Sequence, residues 1–154
     1  MSVEVRIRLR RRRQIRRKAV TSLANAILDA VGESSAELYV ELIGDHRMKR
    51  LNLEYRGKNI PTDVLAFSQR EAAGPRSSLL GDVVISVHAA LRQAHARHHS
   101  VDEELVGLLI HGILHLCGYD HERGEPEARR MRRRELILRR QINPLPRLIL
   151  IGRC

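Results

Sequence analysis

The chain has 154 residues, a formal charge of +10 at pH 7 and a hydrophobic share of 43%. That length suits one domain with an apolar core of its own, and two cysteines, Cys117 and Cys154, exclude a disulfide framework and any paired-cysteine metal motif. No run approaches the roughly 20 apolar residues of a membrane span, and no apolar stretch follows the Arg-rich start as in a signal peptide, so an uncleaved cytoplasmic chain is expected.

Val3, Val5, Ile7 and Leu9 alternate with charged residues, which predicts a half-buried strand over 3–9. A helix follows over 14–31, with Val20, Leu23, Ile27 and Leu28 on one face and Gly32 just past its end. Alternation returns at 37–43. Asp45 suits the N-cap of a short helix carrying Met48, Leu51 and Tyr55, which Gly57 closes. A third strand falls at 64–67, and the turn-rich stretch 69–78, with Gly74 and Pro75, leads to a fourth at 80–86. A helix over 88–98 precedes a second that Ser100 opens as a capping box with Glu103, running to 116 before Gly118. Pro126 suits the first turn of a last helix ending near 141, and 143–154 reads as a tail with freedom to move. This order predicts one α+β domain over 1–154, a four-stranded mixed sheet packed with about five helices.

The segment His111-Gly-Ile-Leu-His115-Leu-Cys-Gly118-Tyr-Asp-His121 carries the chemistry. Residues four apart share a helix face, so His111 and His115 can aim at one point. Gly118 lets the chain leave the helix through a left-handed turn, which can swing His121 back toward them. Three imidazoles at a shared point make a zinc site with one coordination position open. The plain alternative, ordinary surface or core histidines, fits poorly in the apolar run 105–116, where unpaired imidazoles are costly to bury. We therefore expect one zinc ion per chain, at the end of a central helix.

The same spacing occurs in metzincin proteases, which carry a glutamate base after the first histidine. Here that position is Gly112, so a peptidase would lack its proton acceptor. His88, His95, His98 and His99 read as solvated surface, and Cys117 as a small buried hydrophobe. Asp63 and Asp82 read as structural, Thr62 as a turn residue and Ser86 as a helix cap. Asp120 is either a proton acceptor beside the metal or an Asx-turn residue. Alone, Arg56 reads as an arginine at a helix end.

The blocks HGILHLCGYDH (111–121), LNLEYRGKNIPTDVLAF (51–67) and LGDVVIS (80–86) together resemble the YbeY family of bacterial endoribonucleases of ribosomal RNA maturation. The resemblance covers the middle and later parts of the chain; the last helix departs from it in its basic run Arg129–Arg134. It implies zinc on His111, His115 and His121, and a functional Arg56 near the metal. It further implies single-strand RNA cleavage in 3′-end maturation of small-subunit ribosomal RNA and in ribosome quality control. Arginine-rich charge suits a polyanion by counterion release, and Arg10, Arg11, Arg12, Arg13 and Lys58 are the candidates for contact with the RNA backbone. Few aromatics argue against an extensive base-stacking platform. Two alternatives stay open: a non-catalytic, zinc-stabilised RNA- or ribosome-binding factor, and a metal-dependent peptidase.

Overall fold

The period-2 and period-3.6 segments fold in the expected order. The computed structural model describes residues 2–10, 14–70 and 78–150. Among them are four strands, β1 (Ser2–Arg8), β2 (Glu37–Ile43), β3 (Val64–Ser68) and β4 (Leu79–Ser86). Five α-helices accompany them: α1 (Arg17–Ala30), α2 (Asp45–Arg56), α3 (Val87–Ala96), α4 (Val101–Leu116) and α5 (Glu125–Gln141). The strands form one sheet in the order β1-β2-β4-β3; β1, β2 and β4 run parallel, and β3 pairs antiparallel with β4 at the edge. This is the α+β class with one mixed sheet.

Strand alternation sorts the side chains onto two faces. Val5 and Ile7, Leu38, Val40 and Leu42, and Val83 and Ile85 join the larger core with α1 and α4. Ile43, Leu65 and Val84 face the other way and meet Met48 of α2. Apolar residues ring α4, so it is buried on nearly all sides, as such a helix must be. Each fully buried Leu or Ile there contributes about 1.5–3 kcal/mol. By contrast α2 buries only Met48 and Asn52, so few contacts hold it on the sheet.

Two expectations need correction. Helix α1 starts at Arg17, because the backbone before it pairs with the end of the chain instead. Ile15 bridges Ile149, the Arg16 N–H donates to Leu148 O at 2.8 Å, and the Leu150 N–H donates to Gln14 O at 2.6 Å. The Asp102 carboxylate accepts from the N–H groups of Leu148 and Ile149 at 2.8 and 3.0 Å, and both side chains are buried. Leu148, Ile149 and Leu150 thus pair with the rest of the domain. Asp45 does not cap α2; Gly44 occupies that position. The Asp45 carboxylate instead accepts from Ser86 Oγ at 3.1 Å and pairs with Arg92, while its N–H donates to His88 Nδ1 at 3.1 Å. The expected turn at Gly74 and Pro75 lies outside the described residues.

Candidate metal centre and its cleft

The C-terminal half of α4 presents His111 and His115 one turn apart at the β3 edge of the sheet. Gly118 adopts φ 101°, a left-handed conformation that reverses the chain after the helix. A 3₁₀ turn, His121–Arg123, follows at once. The His111 and His121 rings then lie 5.2 Å apart between centroids, tilted by 55°. All three histidines line one cleft of about 680 Å³, walled by Arg56 from the end of α2 and by β3.

Among the described residues no three His, Cys, Asp or Glu side chains close into a ligand cluster as they are placed. The donor set nonetheless suits zinc. Two imidazoles bound tetrahedrally at ordinary Zn–N lengths have centroids roughly 5 Å apart, the His111–His121 separation. His111 Nδ1 is bonded to Glu135 Oε1 at 2.8 Å, which leaves Nε2 free for a metal. Such a carboxylate behind a ligating imidazole fixes its tautomer and raises its basicity.

Glu135 escaped the sequence reading. It stands on α5, 24 residues beyond its partner. A signal was present: Glu135 is the one acidic residue between 128 and 141, in a run otherwise dense in arginine. Glu122 escaped too. Arg56 is the last residue of α2, where Gly57 closes the helix at φ 69°. Its guanidinium reaches across the cleft to Glu122 Oε1 at 3.2 Å. Arg56 is therefore held by the turn that carries His121 and does not float at a helix end. Lys58 is exposed two residues further on, beyond the residues lining the cleft.

Asp120 does line the cleft, but its carboxylate is already engaged. It accepts from the Glu122 N–H at 2.9 Å and lies 3.3 Å from Arg123. That backbone hydrogen bond, more than the neighbouring His115, Arg123 and His121, holds it below the usual carboxylate range. The turn-forming role is thus present in the structure. Asp63 accepts from the Val64 N–H at 2.8 Å and Gln93 at 3.2 Å, and Ser86 Oγ accepts from the Ala89 N–H at 3.1 Å, both as structural readings expect.

Gly112 has a stronger meaning than a missing base. A Cβ there would come within 2.6 Å of Val83 Cγ1 and 3.4 Å of Val64 Cγ2. The helix lies so close on the sheet that a glutamate, the protease residue, has no room. Cys117 is half-buried, and burial pushes its thiol up to about 11, as befits a packing residue.

The remaining candidates fall elsewhere. His88 is exposed but caps α2; His99 bonds the buried Glu104 and so is not simply solvated; His95 and His98 are exposed. Arg10 is exposed beside β1, the opposite sheet edge from β3, on a separate groove. Arg11, Arg12 and Arg13 lie outside the described residues.

The profile of the family described as Endoribonuclease YbeY matches residues 6–143. A relative from Anaeromyxobacter sp. (strain Fw109-5) named Endoribonuclease YbeY is 50% identical over 76% of this chain and 60% of its own length. One of the same name from Aquifex aeolicus is 42% identical over 81% of this chain and 83% of its own. Among solved structures, a Thermotoga maritima protein studied in solution superposes with a TM-score of 0.63, covering 93% of this chain and 94% of that one. At 23% identity it supports the fold alone.

Proposed function

The chain belongs to the YbeY family of endoribonucleases, and from that premise we propose a zinc-dependent endoribonuclease that cuts single-stranded RNA at the β3-edge cleft. The proposed task is ribosomal RNA processing, namely 3′-end maturation of small-subunit RNA, and ribosome quality control, in the bacterial cytoplasm. One observation carries the chemical part. Three imidazoles, one of them oriented by Glu135, share a cleft with a guanidinium that is itself held in place.

His111, His115 and His121 would hold the metal, which when bound supplies Lewis acidity toward a phosphoryl oxygen. The chain's own groups do the rest. Glu135 fixes the His111 ring, and the Gly118 turn sets His121 opposite it. Arg56 offers a planar, permanently charged fork to a phosphodiester entering the cleft, and would offset the negative charge that grows during cleavage. Glu122 steadies that fork before substrate arrives. The basic surface favours a polyanion whatever its sequence, so choice of cut comes from the ribosomal context.

The test is a matched set of wild type, His115→Ala and Arg56→Ala, assayed for zinc content and for chelator-sensitive cleavage of single-stranded RNA. Wild type should carry one zinc and cut; His115→Ala should lose both; Arg56→Ala should keep zinc and lose about 100- to 1,000-fold in rate. Stoichiometric zinc with no cleavage by wild type would favour the RNA-binding factor instead.

A further inference from the structure

Aromatic residues are scarce, yet the structure concentrates them. The chain has four: Tyr39, Tyr55, Phe67 and Tyr119. Two of these, Tyr55 and Phe67, line the cleft that holds the three histidines and Arg56. Their rings meet edge-on, 5.0 Å between centroids and 61° between planes. An edge contact steadies a ring without sandwiching it.

The other two tyrosines are already covered. The Arg6 guanidinium lies 5.8 Å from the Tyr39 ring centre, and that of Arg130 lies 5.2 Å from the Tyr119 ring centre. Among the described residues no cation sits over Tyr55, whose residue surface is 60% exposed. A singly exposed aromatic is ordinary on a protein surface. One inside a charged cleft, braced by the chain's only phenylalanine and adjacent in sequence to Arg56, is not.

We propose that Tyr55, braced by Phe67, is a nucleobase-stacking subsite that takes one unstacked base of single-stranded RNA beside the phosphodiester facing Arg56. This rests on the reading of the cleft as an RNA site. A base in a duplex is already stacked on its neighbours and cannot lie on Tyr55, whereas a single strand can turn one out. Every base has a π face, so the subsite discriminates strandedness and not sequence. One such position also accommodates the low aromatic content, which excludes an extended platform but not a single seat.

Single-stranded RNA oligonucleotides carrying one abasic nucleotide, moved stepwise along the strand, test this against wild type, Tyr55→Leu and Tyr55→Phe. Zinc content and melting temperature are read for each protein. Tyr55→Leu should raise KM by roughly 5- to 150-fold, the range of one base stacked on one aromatic, with a much smaller change in kcat. Tyr55→Phe should recover most of that loss. At one substrate position the abasic RNA should cost wild type a similar factor and cost Tyr55→Leu nothing further. Wild type that cuts RNA while Tyr55→Leu cuts with the same KM overturns the stacking subsite alone. Wild type that neither binds nor cuts RNA overturns both the subsite and the reading beneath it.

Discussion

Two concave regions lie on opposite edges of the sheet, and they differ in a telling way. The cleft at β3 holds about 680 Å³ and is lined by imidazoles, carboxylates and Arg56. The groove at β1 holds about 550 Å³ between the end of β1, the start of α2 and α3, with Leu9, Ile15, Val87, Leu91 and Ile149 on its walls. With those apolar walls, the β1 groove is closer in character to an ordinary small-molecule pocket. Three of its polar groups, however, are committed to the fold, while Arg10, Gln14 and His46 line it singly. His88 accepts from the Asp45 N–H, and Arg8 and Arg47 lie 3.0 and 3.4 Å from Glu41. In the cleft, His115 and His121 keep their ring nitrogens free of hydrogen bonds with the described residues, while charged pairs steady the groups around them. Three imidazoles gathered with Arg56, rather than concavity or apolar surface, set the working edge apart.

Beyond the losses expected at His115 and Arg56, the largest effect falls on the cleft alone. Glu135→Gln keeps the size of the side chain but removes its charge, and should weaken zinc binding by about 10- to 100-fold in a chelator competition. Unchanged affinity would remove Glu135 from the metal's surroundings. Next comes the helix beneath. Gly112→Ala drives a Cβ against Val83 and should cost about 1–3 kcal/mol in urea unfolding. Gly107→Ala meets only the mobile end of Arg139, so it should be close to neutral. Equal losses at both would mean that the tight approach of α4 to β4 is not what Gly112 serves.

A smaller effect belongs to the groove side. The Arg92 guanidinium, helped by Ser86 against the opposing effect of burial, holds Asp45 below the usual carboxylate range. A depressed pKa means that this stability is present above the unfolded value, near pH 3.9, and is lost as pH falls through the lower folded value. Asp45→Asn should therefore cost about 1 kcal/mol or less at neutral pH, since the pair is partly exposed, and the gap to wild type should close in acid. A gap that widened in acid would contradict the pairing. The smallest effect is none: Leu91→Ser, at the rim of the groove, should leave kcat and KM for a short RNA unchanged. A large loss there would shift part of the function to the β1 edge.

What was legible in the sequence was local. His111 and His115 are one helical turn apart, and Gly118 and His121 follow within a few residues, so spacing alone brings them to one cleft. Strand β2 and helix α4 were readable for the same reason: alternation and capping are written within each segment. Glu135 and Glu122 were not, because each meets its partner across a fold that periodicity does not specify. Ile15 fits a helical pattern, but the far end of the chain claims its backbone. Gly112 told of an absent glutamate but not of Val83, and a count of aromatics could not show that two of four share one cleft.

X-ray absorption at the zinc edge, on the purified full chain, tests the assignment of the cleft most directly. Three imidazole nitrogens near 2.0–2.1 Å are expected in wild type, with the metal lost in His115→Ala. A sulfur at about 2.3 Å, or the same spectrum in wild type and His115→Ala, would contradict it.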